Sequence, residues 1–134
     1  MILCSGVFDG LHLGHVTYLS EACVLGHPGE MLMVAVAPDA YVQRHKDRSP
    51  QWPAEARMSV VLCLGLVDRV VLHGAESVAD VIAEYQPRLF VKGADWQDHL
   101  PEDVVRACQQ VGCEIRYVNS GVTQHSSDAL PTRC

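Results

Sequence analysis

The chain has 134 residues, room for one domain over residues 1–134, and its 49% hydrophobic content excludes a disordered chain. Ten Lys and Arg against sixteen Asp and Glu leave a formal charge of −6, the wrong sign for coating nucleic acid or an anionic membrane surface. No apolar run approaches the roughly 20 residues of a membrane span, and Met1-Ile2-Leu3-Cys4 offers no basic stretch for a signal peptide, so a cytoplasmic setting is expected.

Strand and helix patterns alternate from end to end. Ile2 to Phe8 is a short apolar run that reads as a buried strand. His15 to Leu25 follows, with Val16, Leu19, Ala22 and Cys23 at helical spacing and Gly26 as a stop. Met31 to Ala37 is a second strand, closed by Pro38-Asp39, and the polar segment Gln43 to Gln51 is the longest expected loop. A helix is predicted over 53–64, where Pro53 suits the first turn and Ala54, Met58, Val61 and Leu62 share a face. Val67 to Leu72 is the third strand, and Val78, Val81, Ile82 and Tyr85 form the next helical stripe. Arg88 to Lys92 is a fourth strand, Pro101 to Val111 a helix stopped by Gly112, and Glu114 to Val118 a fifth strand. A last helical turn is expected near Ser126, before Pro131. Near-continuous apolar strands separated by helices specify a doubly wound α/β domain with a five-stranded parallel sheet. Ligands in such sheets bind beyond the carboxyl ends of the strands, at the switch in strand order.

The cysteines at 4, 23, 63, 108, 113 and 134 form no CxxC pair and are expected as core thiols. Of the histidines, His27, His73 and His99 are expected at the surface, beside turns and a helix start.

Chemistry concentrates where the first strand ends, in Gly6-Val7-Phe8-Asp9-Gly10-Leu11-His12-Leu13-Gly14-His15. Glycines there let a ligand approach the backbone, the following helix offers N–H groups to an anion, and His12 and His15 can donate to phosphate oxygens. The competing reading is a glycine-rich turn with two incidental histidines. The segment lacks the GxGxxG fingerprint of a flavin- or nicotinamide-binding domain and the lysine of a P-loop. A metal site of Asp9, His12 and His15 lacks a completing ligand, so no metal ligand is assigned. Arg44, Lys46, Arg48 and Arg57 are four of the ten basic residues and crowd into one short stretch of an acidic chain. A solvated polar loop is the alternative for that cluster. Lys92 ends an apolar strand, where a buried charge is costly without a partner. Trp96 is placed either against a ligand or over the core.

Residues 6–15 resemble the HxGH signature of the cytidylyltransferase-like nucleotidyltransferase superfamily. The likeness continues in order through Asp39-Ala40-Tyr41-Val42-Gln43-Arg44-His45-Lys46, Glu55-Ala56-Arg57, Val67-Asp68-Arg69-Val70-Val71 and Phe90-Val91-Lys92-Gly93-Ala94-Asp95-Trp96. Val91-Lys92-Gly93 and the helix start Leu100-Pro101-Glu102 are similar to the heptose-1-phosphate adenylyltransferase branch. Asp95-Trp96 is more similar to glycerol-3-phosphate cytidylyltransferases. Ala94 departs from both branches, and the family's C-terminal Ser-Thr-Thr appears only as Ser126-Ser127-Asp128, ahead of Pro131.

The resemblance implies a Rossmann-like fold and transfer of a nucleotidyl group from a nucleoside triphosphate, ATP or CTP, to a phosphorylated sugar or polyol, with pyrophosphate released. It leans to ATP with a heptose-1-phosphate-like acceptor; CTP with glycerol 3-phosphate is the alternative, and a non-catalytic nucleotide-binding module the alternative of another class. It implies His12, His15, Lys46 and Arg57 as catalytic groups. Nucleotide contacts would come from Val7, Phe8, Gly14, His15, Lys92, Gly93, Asp95, Ser126 and Ser127, and acceptor contacts from Asp9, Lys92 and Trp96. Mg²⁺ would accompany the triphosphate with few protein ligands, and a homodimer is expected. Within the basic cluster, Arg48 is expected to matter less than Lys46.

Overall fold

The computed structural model describes residues 1–119, so the expected turn near Ser126, with His125, Ser127 and Cys134, lies outside them. The elements run β1 (Ile2–Gly6), α1 (Leu13–Val24), β2 (Leu32–Val36), α2 (Asp39–Lys46), α3 (Ala54–Leu62), β3 (Arg69–Leu72), α4 (Ala79–Tyr85), β4 (Leu89–Gly93), a 3₁₀ turn (Ala94–Trp96), α5 (Glu102–Val111) and β5 (Glu114–Val118). All strand pairs are parallel, in the order β3-β2-β1-β4-β5. The architecture is the α/β, Rossmann-like one that the alternating pattern specifies.

Side chains alternate across each strand and so divide the core into two layers. Ile2, Cys4, Leu32, Val34, Leu89 and Val91 pack with Leu19 and Ala22 of α1 and Val61 of α3. Leu3, Met33, Ala35 and Phe90 face the other way, onto Val81 and Ile82 of α4 and Val104 and Cys108 of α5. Both faces of β1, β2 and β4 are therefore covered, which is why those strands read as unbroken apolar runs. Among the described residues no helix is long and apolar enough to cross a membrane.

Several expectations are corrected. The supposed loop from Gln43 is helical as far as Lys46, because α2 starts behind Pro38 with Asp39 in its first turn and carries Arg44, His45 and Lys46 in its last. Those charges complement the helix dipole at both ends, and Val42 supplies the buried contact. Leu62 is exposed, since Ala54, Arg57 and Val61 form the inward stripe of α3. Cys23 and Cys63 are exposed as well, whereas Cys4, Cys108 and Cys113 are buried thiols.

The end of the sheet opposite the strand tips is held by Glu30. Arg88 donates to it from Nε and Nη2, both at 2.8 Å, and the His27 N–H donates at 2.9 Å. The Arg88 guanidinium is the main reason its carboxyl is held well below the usual glutamate value of 4.5. A carboxylate with a depressed folded pKa lends stability that is present above its unfolded pKa and lost as pH falls through the folded one. Glu30→Gln is therefore expected to lower the denaturation midpoint near neutral pH and to flatten the stability loss below about pH 4.5, as read by urea titrations across that range.

Candidate active site

The register of the sheet creates the site. β1 pairs with β2 as far as Gly6 and Val36, and β4 pairs with β5 as far as Gly93 and Val118. Between themselves β1 and β4 pair only to Cys4 and Val91, then part. Strand order reverses at this pair, so the crevice opens where a doubly wound sheet binds ligands. Tyr18, on the second turn of α1, bridges the parting: its hydroxyl donates to the Val91 carbonyl at 2.5 Å and accepts the Ser5 N–H at 3.2 Å.

Lys92 fills the gap. Its side chain is buried, and Nζ donates to the Ser5 carbonyl at 3.1 Å and the Ser5 hydroxyl at 3.3 Å. The Trp96 ring lies under the same ammonium, 4.5 Å from its centroid. Burial pushes the Lys92 pKa down to about 8, against the upward pull of Cys4 and Asp95. A Cβ at Gly93 would stand 2.7 Å from Asp95 Oδ1, so a side chain there would displace the Asp95 carboxylate.

The turn from β1 to α1 brings the two histidines of the HLGH segment together. Phe8 adopts φ 54° and lays its ring back over Gly6, where a Cβ would meet it at 2.9 Å. The imidazoles of His12 and His15 stack at 3.9 Å, with Phe8 tilted against His15 at 5.1 Å. His12 Nδ1 accepts the Gly14 N–H at 3.0 Å, and His15 Nδ1 accepts the His12 N–H at 3.3 Å. A ring nitrogen that accepts a backbone N–H carries no proton, so in each neutral ring the proton sits on Nε2. Burial, then the neighbouring His12, pushes the His15 pKa down to about 4. His15 is thus neutral at physiological pH. The sequence suggested free N–H groups at this helix start; the structure gives the Gly14 and His12 N–H groups to the imidazoles.

A cleft of about 1030 Å³ extends from these groups towards α2, the β3–α4 connection and the start of α5. Val7, Phe8, Gly14, Gly93, Asp95 and Trp96 all border it, as do Lys46 and Arg48. Ser126 and Ser127 lie outside the described residues.

Two expected site residues serve another purpose. Asp9 is buried and accepts from Arg48 Nη1 at 3.0 Å and from the Gln51 and Trp52 N–H groups at 2.8 and 3.0 Å. It ties the β1–α1 turn to the segment before α3 and has no border on the cleft. Arg57, 1% exposed, donates to the Trp52, Val7 and Ala37 carbonyls at 2.9, 2.8 and 2.7 Å and to Asp39 at 2.6 Å. Its guanidinium is spent on holding α3 against the ends of β1 and β2, not on the cleft. Arg48, expected to matter less than Lys46, is the cation that pairs with Asp9.

His73 is the other correction. It is buried and borders the cleft, whereas His27 and His99 are exposed as expected. Tyr41 of α2 packs edge-on against it at 5.0 Å. Sequence reasoning missed Tyr18, Tyr41 and this role of His73. For Tyr18 a signal existed: a tyrosine on the inner side of an amphipathic helix needs a partner for its hydroxyl.

With this geometry in view, comparison with known proteins is decisive. The cytidylyltransferase-like family model matches residues 3–129. The chain belongs to the cytidylyltransferase-like family of nucleotidyltransferases. The bifunctional protein HldE of Aeromonas hydrophila is 38% identical over 98% of the chain, covering 27% of that relative. Its counterpart from Chromohalobacter salexigens is 42% identical over 89% of the chain and 24% of the relative. The chain thus spans about a quarter of the length of these curated relatives. The crystal structure of the lipopolysaccharide core biosynthesis protein from Thermoplasma volcanium superposes with a TM-score of 0.71 at 28% identity, over 88% of this chain and 93% of that one.

The burial of Arg57 sets an expectation. Arg57→Met leaves the buried Ala37 carbonyl and the part-buried Val7 and Trp52 carbonyls without their donor and should lower unfolding stability by about 3 kcal/mol in urea denaturation. A variant as stable as the parent would show that the guanidinium is not a strut.

Proposed function

We propose that this domain transfers the adenylyl group of ATP to a sugar phosphate of the heptose 1-phosphate kind and releases pyrophosphate. The observation that carries the proposal is the convergence, in one cleft of an acidic chain, of the His12–His15 pair with Lys92 and Lys46. An acceptor phosphate oxygen attacks the α-phosphorus, the new P–O bond forms, and the bond to the β-phosphate oxygen breaks with its electrons leaving on pyrophosphate. No covalent enzyme intermediate is needed; the protein positions the two phosphates and stabilises the developing charge. His12 and His15 donate from Nε2 to triphosphate oxygens. Lys92 holds an anion at the strand parting, and Lys46, exposed at the end of α2, reaches in from the opposite wall.

Mg²⁺ arriving with the triphosphate would supply charge neutralisation at the phosphates. Among the described residues no three His, Cys, Asp or Glu side chains could hold a metal ion. Of the carboxylates that border the cleft, Asp95 follows the strand that carries Lys92 and is the one that would hold an ion arriving with its nucleotide. That the structural relative is a lipopolysaccharide core biosynthesis protein favours a sugar phosphate as acceptor, and the HldE likeness favours the adenylyl branch. Pyrophosphate release from ATP and CTP, each with heptose 1-phosphate and glycerol 3-phosphate, tests the assignment. Faster turnover of CTP with glycerol 3-phosphate would move the chain to the other branch, and no release with any pair would make it a binding module.

His12→Ala and His15→Ala should each lower kcat by about 10²–10³, the loss typical of a preorganised donor. Both rings also cap α1, so a stability loss of about 1 kcal/mol accompanies the change. Near-normal turnover in both variants would remove the turn from the mechanism. Lys92 gives the reading a pH signature. Its charge is present below about 8 and lost above it, so the KM for ATP should rise as pH climbs through that value. In Lys92→Met the KM should be higher and insensitive to pH over the same range.

A further inference from the structure

The cleft has two ends of opposite hydrogen-bonding character. The end at the β1–α1 turn and the β1–β4 parting is lined by donors of the cationic kind, the Lys92 ammonium with Lys46 nearby, beside the His12–His15 pair. The far end, between α2, the β3–α4 connection and α5, is lined by Tyr41, His45, His73, Glu76, Ser77 and Asp103.

His73 differs from the other two histidines in what touches its Nδ1. That nitrogen lies 2.7 Å from the Gly74 carbonyl, and a carbonyl only accepts, so Nδ1 carries the proton. In the neutral ring Nε2 is then a lone-pair acceptor. Burial holds the His73 pKa below its ordinary value, against the pull of the Asp80 carboxylate and with the push of Lys92 and Arg57. The ring cannot swing freely. Its backbone N–H extends the β2–β3 ladder to the Val36 carbonyl at 3.1 Å, and Tyr41 meets it edge-on. In the same β3–α4 connection the Ser77 hydroxyl donates to Asp103 Oδ2 at 2.6 Å. That leaves acceptors on this side too.

An acceptor lone pair repels a phosphate oxygen and attracts a hydroxyl. We infer that the α2–β3 end of the cleft is a hydroxyl-recognition subsite, in which His73 Nε2 accepts a hydroxyl proton from a polyhydroxylated phosphate whose phosphate group lies at the donor-lined end. His73 is thereby a specificity-determining residue. The inference rests on the nucleotidyl-transfer reading only for the role of the bound phosphate as acceptor.

Calorimetric titration of the 134-residue chain with inorganic phosphate, glycerol 3-phosphate, mannose 1-phosphate and heptose 1-phosphate tests it without turnover. At least one hydroxylated phosphate should bind tighter than inorganic phosphate. In His73→Phe that advantage should shrink about fivefold or more, the cost of leaving a hydroxyl without its partner. Affinity for inorganic phosphate should stay unchanged. His73→Gln, which keeps an acceptor near the Nε2 position, should recover most of the advantage. A merely structural role predicts equal weakening for every ligand, and that result would overturn the inference. An undiminished advantage in His73→Phe, or none in the parent, would overturn it as well. Failure of pyrophosphate release with the calorimetric pattern intact would instead overturn the proposed reaction and leave the subsite standing.

Discussion

The parting of β1 and β4 after Cys4 and Val91 is the constraint on which the site depends. Two central strands that stop pairing leave backbone groups that need other partners. Tyr18 takes two of them, the Ser5 N–H and the Val91 carbonyl, and Lys92 takes the Ser5 carbonyl. A buried ammonium is tolerated there because the same opening that strands the Ser5 carbonyl and hydroxyl offers them to it, with the Trp96 ring beneath. One break in register therefore supplies the crevice, the cation in it and the reason for the lowered pKa of that cation.

Burial sorts the remaining charges into those that hold the structure and those that face the cleft. The β1–α1 turn and the stretch between α2 and α3 have little regular hydrogen bonding, so their backbone groups are collected by side chains. Asp9 gathers two N–H groups and Arg57 gathers three carbonyls. Neither can reach a ligand without abandoning these partners. Lys46, exposed on the last turn of α2, is under no such obligation.

Histidine polarity is decided in the same way, by the backbone group at Nδ1. For His12 and His15 that group is an N–H, which makes Nε2 a donor; for His73 it is a carbonyl, which makes Nε2 an acceptor. One residue type thus lines both ends of one cleft with opposite hydrogen-bonding character. A ligand carrying phosphate at one end and hydroxyls at the other is complementary to that arrangement.

The strands, the helices α1, α3, α4 and α5 and the importance of residues 6–15 were legible in the sequence, because periodicity and the glycines and histidines of a strand-to-helix turn are local properties; α2 was read as a loop. Each of the five strands was placed to within about two residues of its observed limits, an error expected where ends fray. Lys92 was legible too, as a charge closing an apolar strand. What the sequence could not assign was the partner of each polar group. Asp9 is bound to residues more than forty positions away, Arg57 to a carbonyl fifty positions back, and Tyr18 to Val91. His73 looked like a turn residue because nothing local shows that α2 will cover it with Tyr41. Composition and spacing determined the five strands, most of the helices and where the candidate site would lie. Only the tertiary structure decided which basic residues are struts, which face the cleft, and which nitrogen of each imidazole carries the proton, since those depend on long-range contacts that a linear pattern does not encode.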